Sequence, residues 1–513
     1  MRCVKFASAC LFFATSLSIL ACAQTVAPFQ FLEKPGPHAV GLKVVEQYDF
    51  SRVYRPAIDE LGMPFAGERA RPLQTLVWYP AVKSDAKPMT VQNYVDLWAT
   101  ETSFGKPNMP ADGKSWLKAM SPTLANAMWS VRDAKMEAGR YPVVIYTPSF
   151  SANSWENADL CEYLTSHGYV VIAAPDMGAS TREMTEDIPG IEAQAGDVSF
   201  LIGYAQTLPD TDMSEIAVGG FSWGGISNLF AAARDNRIDA LFGLDGSLRY
   251  FPGLVKDSGY VHPDQMTLPL LAITQGEISM DNMPYPRDKA QLGPGVFKEW
   301  THGDLMKVEM MGFVHGEHSS MDQRSEDFWK EIASQQKADY GREDGAPGYA
   351  WLARYTLEFL DAYLKHDVAA MAFLKKTPAE NGVPKHFINA SFRAGKGVPV
   401  TVEAFRAELG RQGFDHAGDV YAAMKKENPD FKLDEAMVNS WAYDIMAEHL
   451  AEATALLKLN VTMYPDSGNV YDSLGEAYMK AGQKQLAIEN YKKSLEKDPS
   501  NANAVEKLKE LET

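Results

Sequence analysis

Ile216-Ala217-Val218-Gly219-Gly220-Phe221-Ser222-Trp223-Gly224 is the stretch that decides the fold of this 513-residue chain. Its first residues read as a buried strand, and the serine between Gly220 and Gly224 reads as a sharp strand-to-helix turn. Glycines are needed beside that serine because the turn is too tight for side chains. Ile226-Ser227-Asn228-Leu229-Phe230-Ala231-Ala232-Ala233 continues as a helix of small residues suited to close packing on a sheet. Such a serine is a candidate nucleophile elbow, because the helix that follows aims its N-terminal N–H groups and its dipole at the reaction centre.

Working outward, continuous apolar runs alternate with helical stretches. Residues 142–146 and 169–174 precede the elbow strand, and 240–244, 268–273 and 308–313 follow it, with helices ending near Ser166 and covering 193–207 and 349–365. Strands apolar on both faces and separated by helices predict a parallel sheet covered on both sides. Reactive groups then belong at the carboxyl ends of the strands. Residues 41–50 and 73–79 read as two earlier strands. Between 83 and 140 lies a Met-, Trp- and Ala-rich insert with helical spacing at Tyr94, Leu97, Trp98, Trp116 and Met120, read as a cap or lid or as a packed helical insertion.

The totals bound what else the chain does. It is too long for a single core, so two or more domains are expected. Lys and Arg number 49 against 67 Asp and Glu, a net charge of −18, which argues against nucleic-acid binding and against a basic membrane patch. Arg2 and Lys5, the apolar run 11–20 and Ala21-Cys22-Ala23 form a signal-peptide pattern over 1–23, so a secreted or periplasmic bacterial protein is expected. Cleavage there would leave 47 − 67 = −20. Leu20-Ala21-Cys22 also resembles a weak lipobox, and lipidation of Cys22 is the route by which the protein would be an outer-membrane lipoprotein. Cys3, Cys10 and Cys22 lie in this segment, leaving Cys161 alone in the body, with no internal disulfide framework. Cys161 sits in a helix-like run and reads as a small core residue. No Cys/His cluster has metal-ligand spacing.

Residues 376–400 are punctuated by Pro, Gly and Lys and read as a linker between a body at 24–375 and an all-helical region at 401–513. In the latter, two segments superimpose with Ala453 on Ala487, Asn460 on Ser494 and Pro465 on Pro499. The second, Tyr471-x-x-Leu474-Gly475-x-x-Tyr478 followed by Ala487, Tyr491 and Pro499, resembles the tetratricopeptide repeat, clearest over 468–501. Residues 402–427 are a weaker third unit. The resemblance implies a surface that binds a protein partner.

A serine hydroxyl needs an imidazole to take its proton and a carboxylate to fix that imidazole's tautomer. In this sheet order both should follow the serine at strand ends. Of ten histidines, only His315 and His318 stand just after the last strand, and His315 is the first choice. For the acid, Asp245 follows its strand with no slack, while Asp281 lies further along the loop after the next strand. The oxyanion would be held by the Trp223 amide and by one from the loop 147–153.

Taken together, Pro142-Val-Val-Ile-Tyr-Thr-Pro-Ser-Phe-Ser151, Ser166-His-Gly-Tyr169, Gly220-Phe-Ser-Trp-Gly-Gly225, Gly243-Leu-Asp245 and Gly312-Phe-Val-His315 resemble platelet-activating-factor acetylhydrolase-like and dienelactone-hydrolase-like serine esterases. The resemblance implies an α/β-hydrolase fold, hydrolysis of a small-molecule ester through an acyl-enzyme, and no cofactor. It carries the acid over to Asp245, the base to His315 and the loop donor to Phe150. Where that family has His-Gly-Leu-Gly, this chain has Pro148-Ser149-Phe150-Ser151. An amide or peptide hydrolase of the same fold, and an inactive hydrolase-like scaffold binding partners through its repeats, are the alternatives.

Overall fold

The computed structural model describes residues 28–276, 295–335 and 339–512. The signal-peptide pattern, Cys22 and Asp281 lie outside these residues. Ten strands form one sheet: β1 Ala39–Val53, β2 Ala70–Ala81, β3 Ser130–Arg132, β4 Tyr141–Thr147, β5 Val170–Ala173, β6 Thr211–Phe221, β7 Ala240–Leu244, β8 Leu270–Gln275, β9 Leu305–Met310 and β10 Ile388–Arg393. Their order in space is β10-β9-β8-β7-β6-β4-β5-β2-β1-β3. The strands from β5 through β9 pair in parallel, and β2 and β10 join this block antiparallel.

The apolar runs are strands because both of their faces are covered. Every residue of β2, β4, β5 and β7 is buried. Val144, Tyr146, Ala217, Phe221, Phe242 and Leu244 share one core with the helices Ala158–Ser166 and Arg342–Leu364. The helix Trp223–Ala232 packs beside Ile188–Ala205 and against β4, β6 and β7. Lateral register then sets up the site. Phe221 at the end of β6 lies opposite Leu244 at the end of β7, so the next residues, Ser222 and Asp245, leave adjacent strands side by side.

One reading changes. The linker expected at 376–400 contains β10, whose Ile388 to Arg393 pair antiparallel with Met310 to Leu305. The alternation of Ile388, Ala390 and Phe392 with polar residues is a strand signal that the surrounding Pro, Gly and Lys residues obscured. The insert at 83–140 forms the helices Val91–Asp96 and Ala111–Ala119 and the strand β3, which pairs in parallel with β1. It packs beside the sheet. The Tyr94 hydroxyl donates to Glu162 at 2.7 Å and accepts from the Trp78 indole at 2.8 Å. Trp98 and Trp116 lie edge-on to Trp155.

The chain divides into two compact units, one containing the sheet and ending at Arg393, the other containing 394–513. The second holds the helix pairs Val402–Gln412 with Ala417–Glu427, Glu435–Ile445 with Leu450–Met463, and Gly468–Lys480 with Lys484–Lys497, then Ala502–Glu512. Leu450–Met463 and Lys484–Lys497 are offset by 484 − 450 = 34 residues. Ala453 and Ala487, and Asn460 and Ser494, are equally buried. Gly475 has a reason to lack a side chain: a Cβ there would press on the Tyr491 ring at 3.1 Å. Among the described residues no helix is long and apolar enough to cross a membrane.

Candidate active site

The elbow is strained where its sequence says it should be. Ser222 has φ 51° and ψ −114° and caps the helix Trp223–Ala232. Six non-glycine residues among those described have positive φ; two of them, Ser222 and Asp245, leave adjacent strands here, and a third, Ser151, follows Phe150 of the cavity wall. Each such backbone costs about 1–3 kcal/mol and persists only where its surroundings enforce it. The glycines on either side are sterically required. A Cβ on Gly220 or Gly224 would fall 2.0 or 2.4 Å from the Thr147 carbonyl oxygen.

Ser222, His315 and Asp245 form one chain of hydrogen bonds. His315 Nε2 lies 2.8 Å from Ser222 Oγ, and His315 Nδ1 lies 2.5 Å from Asp245 Oδ2. With Nδ1–H donating to the carboxylate, Nε2 is left as an acceptor for the serine proton. Asp245 is completely buried, yet its carboxyl is held far below the ordinary range. Burial alone would raise it; the His315 hydrogen bond and charge, aided by the Arg249 guanidinium, outweigh that. Its two oxygens also accept from Arg249 at 2.6 Å, Tyr250 Oη at 3.0 Å and the Gln275 amide at 3.2 Å.

His318 stands elsewhere. Its ring is buried, stacks on Phe221 with a 16° interplanar angle and meets Phe313 edge-on, while Nδ1–H donates to the His315 carbonyl at 3.0 Å. Burial pushes its pKa down to about 4, so it is neutral at physiological pH. The ring bonded to Ser222 belongs to His315. Burial likewise pushes the Cys161 thiol well up, away from the thiolate a nucleophile requires.

The Trp223 amide opens its helix, where no earlier turn supplies an acceptor. Phe150 lies in the turn after β4, its ring edge-on to Trp223. Two buried carboxylates grip the amides on either side of Phe150. The Ser149 N–H donates to Glu156 at 2.9 Å, its hydroxyl bonds the same carboxylate, and the Ser151 N–H donates to Asp176 at 2.8 Å. Arg182 donates to the Ser151 carbonyl at 3.0 Å and to Glu101 at 2.8 Å. These side chains do the holding that a glycine-rich loop would otherwise achieve by its own conformation. Burial, with the Asp322 charge adding to it, pushes Glu156 up to about 8, and burial raises Asp176 as well. Next to Glu156, Asn157 donates to the His318 carbonyl at 3.1 Å and accepts from the Ser320 amide at 2.8 Å, so one segment braces both the loop at 148–151 and the histidine loop.

Sequence reasoning missed Arg249, Tyr250, Glu156 and Asp176. Asp176 carried a usable signal, since it stands just past the end of β5, after Ala174 and Pro175. A cavity of about 490 Å³ opens above Ser222, walled by Phe150, Trp223, Tyr250 and Phe251, with Glu186 and Gln275 among its polar groups. No residue of 83–140 lines it. Among the described residues, no group of three or more His, Cys, Asp and Glu side chains comes together as metal ligands.

No family model matches the chain, and no curated protein matches it. Among solved structures it is similar to the ferulic acid esterase from Streptomyces cinnamoneus. That likeness has 19% identity and a TM-score of 0.46, and it covers 66% of this chain and 94% of that one.

Proposed function

We propose that this protein is a serine hydrolase that cleaves a carboxylic ester through an acyl-enzyme. The observation that carries the reading is the continuous Ser222–His315–Asp245 hydrogen-bond chain, starting at a strained serine on a strand-to-helix turn. His315 takes the Ser222 proton as the hydroxyl attacks the ester carbonyl. The imidazolium so formed is stabilised by Asp245 and returns its proton to the departing alkoxide. The Phe150 and Trp223 amides hold the oxyanion, a pair of donors whose individual loss costs about 10²–10³ in rate. A water, activated by the same imidazole, then frees the acid and restores Ser222. The resemblance to acetylhydrolase-like and dienelactone-hydrolase-like esterases supports ester over amide substrates, and the aromatic cavity wall supports an apolar substrate group. The signal-peptide pattern at 1–23 supports export, with Gln24 as the first residue of the mature chain.

Ser222→Ala tests the reading. Turnover of a short p-nitrophenyl ester and labelling by a fluorophosphonate are both lost while thermal melting is unchanged. Residual turnover above about a thousandth of the parent rate would place the nucleophile elsewhere.

A further inference from the structure

Arg249 lies on the turn Ser247–Arg249, four residues after Asp245, with a side chain only 1% exposed. One terminal nitrogen donates to Asp245 Oδ1 at 2.6 Å and to the Tyr250 hydroxyl. Its Nε and other terminal nitrogen are buried and have no hydrogen-bond partner among the described residues. A guanidinium buried with two unsatisfied groups is unfavourable for stability. Among the described residues, its ion pair is with the carboxylate that orients His315.

That placement has an electrostatic consequence. An unpaired aspartate beside the imidazole favours the imidazolium and holds the base protonated to higher pH. Here a permanent cation sits on the aspartate's far oxygen and offsets part of the charge that faces His315. The other titratable groups facing His315 carry no such fixed positive charge. Tyr250 is a neutral phenol with its ring 6.3 Å away, and His318 is neutral, its pKa pushed down to about 4 by burial. Asp322, on the following turn, is pushed up to about 7 by burial, and Glu186 shares the cavity wall with His315.

We propose that Arg249 is a positioning residue that fixes Asp245 against His315 and offsets part of the aspartate's charge from behind, so that removing the guanidinium shifts the pH dependence of Ser222 activation. The inference rests on the serine-hydrolase reading above. Removing the cation makes the imidazole easier to protonate, so the acid limb moves to higher pH.

The test is the pH dependence of the second-order rate at which a fluorophosphonate labels Ser222 in the full chain. It is measured in the parent protein, in Arg249→Gln, which keeps a hydrogen-bond donor, in Arg249→Met, which keeps the volume, and in Arg249→Lys, which keeps the charge. Either neutral variant is expected to shift the acid limb upward by about one pH unit, the size expected for one charge at this range. Arg249→Lys is expected to hold it at the parent position. If one neutral variant fails to fold, the other carries the measurement. A folded neutral variant with an unmoved limb overturns the inference and leaves the triad reading intact; so does a lysine variant displaced as far as the neutral ones. Absence of labelling in the parent protein is a different failure, that of the hydrolase reading.

Discussion

Replacing Asp245 by Asn alters one atom at the centre of the site, and the structure dictates how the asparagine must turn. The native carboxylate accepts from His315 and Tyr250 on Oδ2 and from Arg249 and the Gln275 amide on Oδ1. An asparagine has one oxygen for these two pairs of donors. Arg249 and the backbone amide cannot give up their protons, whereas an imidazole can change tautomer. The oxygen therefore stays with Arg249, and the new NH2 group faces His315. His315 then accepts at Nδ1 and carries its proton on Nε2, where it can no longer receive one from Ser222. The expected loss is about 10⁴ in kcat, with KM little changed. The same exchange leaves the buried guanidinium without its counter-charge, at a cost of about 3–5 kcal/mol of stability. Steady-state turnover of a p-nitrophenyl ester, measured beside a urea titration of the same sample, separates the two effects. An Asp245→Asn variant that folds and keeps kcat within tenfold of the parent would refute the tautomer reasoning.

Gly220→Ala and Gly224→Ala should each destabilise the protein by at least about 2 kcal/mol in urea unfolding, since the new Cβ overlaps the Thr147 carbonyl rather than a movable side chain. Unchanged midpoints would mean that the turn has room the structure does not show. Glu156 is raised from 4.5 to about 8 by burial, so the folded state holds its proton where the unfolded chain has lost it. Its contribution is present at acid pH and is lost as pH rises through about 8, amounting to a few kcal/mol by linkage. Glu156→Gln should therefore flatten the fall in melting temperature between pH 6 and pH 9, and an identical fall in both proteins would contradict this.

Much of the fold was legible because it is encoded locally. Glycines mark where a backbone must turn without side chains, and runs such as Val143-Val144-Ile145 mark a strand buried on both faces. The 34-residue offset of the helix pairs appears directly in the spacing of Ala453 and Ala487. For the same reason Ser222, Asp245 and His315 stood out as strand-end residues. Strand β10 was obscured because an edge strand buries little, so its alternation competes poorly with flanking turn residues.

By itself, the sequence determined the strand-helix rhythm, the elbow at Ser222 and the short set of side chains eligible to serve it, since each depends on near neighbours in the chain. Only the tertiary structure decided which imidazole reaches the serine, that Arg249 backs the aspartate, and that Glu156 and Asp176 clamp the loop around Phe150. Those choices join residues up to 93 positions apart. They follow from lateral strand register and from burial, which makes unpaired charges costly enough to select their partners, and neither is written in any local stretch of the chain.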